Sequence, residues 1–253
     1  MKRFFKLIFR MFLFLLFLAL LVSLLVTYSS YPSSYEAKPI SGVVFDAESK
    51  QPVEGAVVVA IWSEYGGAFQ AYKIDELEVQ EAVTDNQGKY TLPGWPLKRS
   101  RNRSAFVPTD EPRIFAYKYR YLPKYIYNGI VQEMGVHPPY KHERMISWHG
   151  STDIFILPLT VTEKDRMQEF TEVEWITPGI KGCRWKKLTH LLLEVDKHRE
   201  DLENYFSNTS KNGTSREAWY LKEVSQGPQP ACAGAVELLT NARKLRQNNI
   251  DKK

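Results

Sequence analysis

The chain has 253 residues, 43% of them hydrophobic and 25% charged, a globular balance that excludes wholesale disorder. Its formal net charge is +5, but Lys2, Arg3, Lys6 and Arg10 carry four of those charges and the remainder is close to neutral. The basic excess therefore reads as a targeting signal, and with no DNA- or RNA-reading motif present no nucleic-acid partner is expected.

The first thirty residues, MKRFFKLIFRMFLFLLFLALLVSLLVTYSS, are basic and then apolar from Met11 to Val26, broken only by Ser23. A helix from Met11 to Tyr28 would rise roughly 27 Å at about 1.5 Å per residue, just enough for a hydrocarbon core of about 30 Å. Cleavable secretory signals have a shorter apolar core, about 7–15 residues, and a small-x-small exit. Here the exit reads VTYSSYPSSY. Residues 1–28 thus read as an uncleaved signal-anchor transmembrane helix, with a signal peptide cut after Ser29 as the alternative. In both cases the cations stay cytoplasmic and the bulk of the chain crosses. The expected address is the inner (plasma) membrane, single-pass, with the carboxyl-terminal domain on the periplasmic or extracellular side. Residues 29–38, rich in Ser, Tyr and Pro, read as an extended linker without regular structure.

Ile40–Phe45 is the first expected strand, and in the turn DAESKQP after it Asp46 can cap its own backbone. Ala56–Trp62 (AVVVAIW) is apolar at every position, the pattern of a strand covered on both faces. The carboxyl-terminal helices are the candidates for its second face. Ser63–Ala71 reads as a loop with Gly66 and Gly67 at its tip. Leu77, Val79 and Val83 alternate with Glu76, Glu78 and Gln80, which predicts a strand with one wet face. TDNQGKY reads as a hairpin turn, Asp85 initiating it and Gly88 supplying the positive φ of a tight return. Tyr90 and Leu92 begin the partner strand, which PGWP ends.

Three blocks occur in fixed order: I-x-G-x-V-x-D (Ile40, Gly42, Val44, Asp46), Q-P-V-x-G-A-x-V (Pro52, Gly55, Ala56, Val58) and T-D-x-x-G-x-Y-x-L-P (Thr84, Asp85, Gly88, Tyr90, Leu92, Pro93). This order resembles the carboxypeptidase regulatory-like domain. RIFAYKYRYLP from Arg113 is similar to that family's next strand and aromatic-Pro corner, with Arg120 where the family has Gly. Asp153–Leu159 resembles its closing strand. The resemblance implies a mainly β protein with an α appendage: a seven-stranded transthyretin-like Greek-key β-sandwich over residues 39–161, interrupted by two long insertions.

The first insertion, Leu97–Pro112, contains KRSRNR (Lys98, Arg99, Arg101, Arg103), which reads as a solvated loop or as a contact for anionic headgroups or an acidic partner. The second, Lys124–Thr152, carries His137, His142 and His149, whose spacing matches no zinc-ligand pattern. Pro138 and Pro139 deny it a helical face, so an ordinary surface loop without metal is expected. Residues 162–253 turn helical. Thr162 and Asp165 resemble a capping box opening a helix to about Glu174. Leu188, Leu192, Val195, Leu202 and Phe206 form the apolar stripe of a helix over about Trp185–Tyr205. After the turn-rich SNTSKNGTS come a short helix at Arg216–Val224 and a last one at Ala231–Gln247, with Leu238, Leu239 and Leu245 as its stripe. Cys183 and Cys232 are the two cysteines, an even pair expected in an oxidising compartment, and they read as a disulfide if the long and last helices run parallel.

No nucleophile elbow, framed carboxylate pair or phosphate loop occurs, so no catalytic residue and no cofactor are expected. The His-x-x-Glu pair of zinc carboxypeptidases, which the resembling module accompanies in those enzymes, is absent. The leading expectation is a non-catalytic, membrane-anchored extracytoplasmic interaction or structural domain whose partner is another envelope protein. The alternative is a glycan- or peptide-binding module using Trp62, Tyr65, Trp95, Tyr117, Tyr119 and Tyr121. Sugar binding needs open, coplanar rings, whereas a scaffold buries them.

Overall fold

A computed structural model describes residues 2–28, 34–66, 72–100, 105–108, 111–128, 143–159, 185–209 and 234–250. Among the described residues helix α1 (Lys2–Tyr28) precedes ten strands: β1 (Ser34–Ala37), β2 (Ile40–Asp46), β3 (Val57–Gly66), β4 (Tyr72–Val83), β5 (Lys89–Leu92), β6 (Trp95–Arg99), β7 (Arg113–Tyr117), β8 (Lys124–Ile126), β9 (Glu143–Ile146) and β10 (Ile154–Ile156). Helices α2 (Thr189–Thr209) and α3 (Ala235–Ile250) follow. The described strands form three sheets in the orders β10–β2–β5, β4–β3–β7–β8 and β6–β1–β9. The helices expected at 162–174 and 216–224 lie outside the described residues.

The apolar run in β3 is satisfied on both sides. Val58, Ala60 and Trp62 join Val44, Tyr90, Leu92, Ile114 and Ile154 in one core. Val57 and Val59 join a second core with Phe115, Tyr117, Leu188, Leu191, Leu192, Val195 and Leu239. Helices α2 and α3 thus supply the cover that the second face requires. Each fully buried α2 leucine contributes about 2 kcal/mol.

Helices α2 and α3 run parallel, because their contacts advance together along both. Trp185 lies beside Gly234, Asp196 pairs with Arg243, and Glu200 pairs with Arg246. Leu245, expected on the buried stripe, is 65% exposed. The facing side of this turn is taken by Arg243 and Arg246, which reach for the buried Asp196.

Several expected loops are strands. The supposed linker contains β1, centred between β6 and β9, with Tyr35 and Ala37 buried. Its alternation is too short to register against a Ser- and Pro-rich background. Only residues 29–33 separate α1 from β1. The loop expected from Ser63 is the continuation of β3, which stays paired with β4 to Gly66↔Tyr72. Trp95, expected at a strand's end, instead opens β6, while the second insertion begins with β8 and contains β9.

Strand β4 also departs from simple alternation. Its register passes from Trp62↔Glu78 to Ser63↔Glu76, leaving Leu77 as the extra residue of a bulge. Leu77 consequently packs on the first core and Val79 in the second, while Val83 is 41% exposed. The Asp85–Gly88 turn is not a hairpin. Its following strand β5 pairs with β2, Tyr90 opposite Gly42, so the turn carries the chain from one sheet to another. Thr84 sets the angle: its hydroxyl donates to the Val53 carbonyl and accepts the Ala56 N–H.

Candidate functional site

Helix α1 carries the largest exposed apolar surface among the described residues. Its side chains are described without a gap from residue 8 to residue 22, and those of Phe9, Met11, Phe14 and Phe17 are about two-thirds exposed, at 62%, 61%, 63% and 62%. Phe12, Leu15 and Leu16, on the opposite side of the helix, are 58%, 56% and 49% exposed, so no apolar stripe of α1 faces a protein core. Among the described residues no helix is long and apolar enough to cross a membrane. The described α1 side chains fall short of the roughly 20 apolar residues that a span takes.

The sheet β6–β1–β9 places the first basic insertion next to the point where the chain arrives from α1. Antiparallel pairing sets Ser34 opposite Arg99 and Tyr35 opposite Lys98. The chain therefore enters β1 and leaves β6 at the same end, and parallel β9 also begins there, Ser34 opposite Glu143. Alternation sends the two cations of β6 to opposite sides. Arg99 is exposed, whereas Lys98 turns inward onto the Glu78 carboxylate, over the Trp95 ring. Burial, and after it the charge of Lys187, lowers the Lys98 pKa. Arg101 and Arg103 lie outside the described residues.

A second polar cluster fastens α2 to the sheet. Glu81 of β4 accepts the His190 N–H at 3.0 Å, the Leu191 N–H at 3.1 Å and meets His190 Nδ1 at 2.9 Å. The first turn of α2 is thus capped from a distant strand, where a carboxylate also complements the positive helix end. Glu78 adds a bond from Lys187 at 2.8 Å, and Glu194 accepts the Tyr119 N–H at 3.0 Å. Sequence reading placed Glu78 on a wet strand face, and no local signal announces Glu81 as a cap for a helix more than a hundred residues away.

Of the aromatics available for a sugar platform, Trp62 (1%), Trp95 (5%) and Tyr117 (0%) are buried. Trp62 and Trp95 meet edge to face at 5.7 Å inside the first core. Tyr65, Tyr119 and Tyr121 are half-buried, and the Tyr121 hydroxyl donates to Asp46. Phe45 and Phe155 stack on one another at 5.2 Å, so neither lies coplanar beside the other as a shelf. His149 is fixed by its backbone N–H, which donates to Asn128 Oδ1 at 2.8 Å; His137 and His142 lie outside the described residues. Among the described residues no group of three or more His, Cys, Asp or Glu is placed to hold a metal ion. Cys183 and Cys232 both lie outside the described residues, two positions before Trp185 and Gly234. Asp85 Oδ1 accepts the N–H groups of Gln87 and Lys89, and Gly88 has φ +70°.

No family model matches the chain, and no curated protein matches it. Among solved structures, a 9R-lipoxygenase from Cyanothece PCC8801 aligns over 69% of this chain and 25% of its own, at 9% identity and a TM-score of 0.24. The chain thus spans about a quarter of that protein's length, and so weak a likeness supports nothing about fold or activity.

Proposed function

We propose that the chain is a non-catalytic, membrane-anchored structural or interaction domain of the cell envelope, held by α1 and facing away from the cytoplasm. The observation that carries this reading is the exposure of apolar side chains all round α1, continued in sequence by an apolar run to Val26. A helix apolar on every side is stable in lipid or in a large core, and the described core residues include none from α1. Its backbone is helical over 27 residues, about 40 Å, more than a hydrocarbon core requires.

For the domain itself, we propose the transthyretin-like sandwich of the carboxypeptidase regulatory-like family. Two sheets, β10–β2–β5 and β4–β3–β7–β8, together hold seven strands, and both contribute to the first core. The remaining sheet, whose Tyr35, Ala37 and Trp95 also join the first core, is built from the segment before the sandwich, from Trp95 and Pro96, and from the two insertions. Arg120 has φ +70° at the position where the resembling family carries Gly, which fits that corner. Burial of Trp62, Trp95 and Tyr117 favours a scaffold over a glycan platform.

The test is topology. A reporter active only in the cytoplasm, fused after Lys253, should be silent, and the protein should stay with membranes through alkaline extraction. Strong reporter activity would reject the orientation, and release by alkali would reject the anchor.

A further inference from the structure

We draw no further inference here: the strongest candidate, the apolar surface patch on the outer face of the sheet β10–β2–β5, where Phe155 stacks on Phe45 and is 45% exposed, carries nothing because nothing in the structure shows what covers it.

Discussion

Arg243 closes on Asp196 through two nitrogens, Nη2 at 2.7 Å from Oδ1 and Nε at 3.0 Å from the same oxygen. The Asp196 side chain is fully buried, and Arg246 Nη2 takes its Oδ2 at 2.5 Å. One carboxylate thus holds two guanidinium groups of α3 against α2. Asp196→Ala should destabilise the domain by about 3 kcal/mol, since it removes the buried carboxylate that ties both guanidinium groups to α2, although Arg246 keeps its bond to Glu200. Arg243→Ala or Arg246→Ala should cost less, because the other arginine still neutralises Asp196. Urea denaturation orders the three variants, and equal losses would mean that the carboxylate is not shared.

The Asp85–Gly88 corner should be sensitive to a single methyl group. Gly88 has φ +70°, and a Cβ built there would lie 2.6 Å from the Val44 carbonyl oxygen. Gly55 has the same φ, but its nearest neighbour would be Lys118 Nζ at 3.8 Å. Gly55→Ala therefore isolates backbone strain, about 1 kcal/mol, whereas Gly88→Ala adds a clash with backbone and should reach roughly 3 kcal/mol. Asp85→Ala removes an exposed acceptor of two N–H groups and should cost about 1 kcal/mol. Melting temperatures that rank Gly55→Ala as the most damaging would contradict this assignment.

Asp46 gives the first turn a pH dependence. Its pKa is lowered chiefly by the Ser49 N–H, with the Glu48 N–H and the Tyr121 hydroxyl adding to the effect. A folded pKa below the unfolded value near about 3.9 means the contribution is present above that pH and is lost as pH falls through the folded value. Solvent screening limits it to at most about 1 kcal/mol. The gap in melting temperature between the native chain and Asp46→Asn should therefore be steady from pH 7 to 5, about the range where the carboxylate is ionised, and close under acid. A gap that widened under acid would show the opposite linkage.

How much of this was legible depended on how far each cause lay from its effect along the chain. The Asp46 and Asp85 turns are local, and their residues announce them. The apolar run at 56–62 announced a strand with two dry faces, because no alternating pattern can hide seven consecutive apolar residues. What stayed hidden was non-local. Strand β5 follows a turn shaped like a hairpin, yet it pairs with β2, a choice made by the first core and not by the turn. The bulge at Leu77 erases the alternation that β4 seemed to promise. Among the candidate groups, the glutamates of β4 looked like a solvated face because their partners, Lys98, Lys187 and His190, come from other elements.

The parallel helices also decide what to expect of the two cysteines. Trp185 and Gly234 stand at the starts of α2 and α3, and a Cβ built at Gly234 would lie 3.8 Å from Trp185 Cη2. Cys183 and Cys232 each precede one of those residues by two positions in sequence. Two residues of extended chain reach roughly 7 Å, so both cysteines can be brought within the 4.4–6.8 Å Cα separation, or about that, which a disulfide takes. Had the helices run antiparallel, the starts would sit at opposite ends and no such bridge would form. On an oxidising side of the membrane the two thiols should therefore pair. The bridge closes a loop of about 50 residues, for which chain entropy gives roughly 4 kcal/mol, an upper figure because native strain subtracts from it. Unfolded, unreduced protein should take up no thiol label, and two labels after reduction. Two labels without reductant would show two separate thiols. The double Cys183→Ser and Cys232→Ser variant supplies the energetic check: its stability should fall toward that of the reduced native chain, whereas two unpaired buried cysteines would leave reduction without effect.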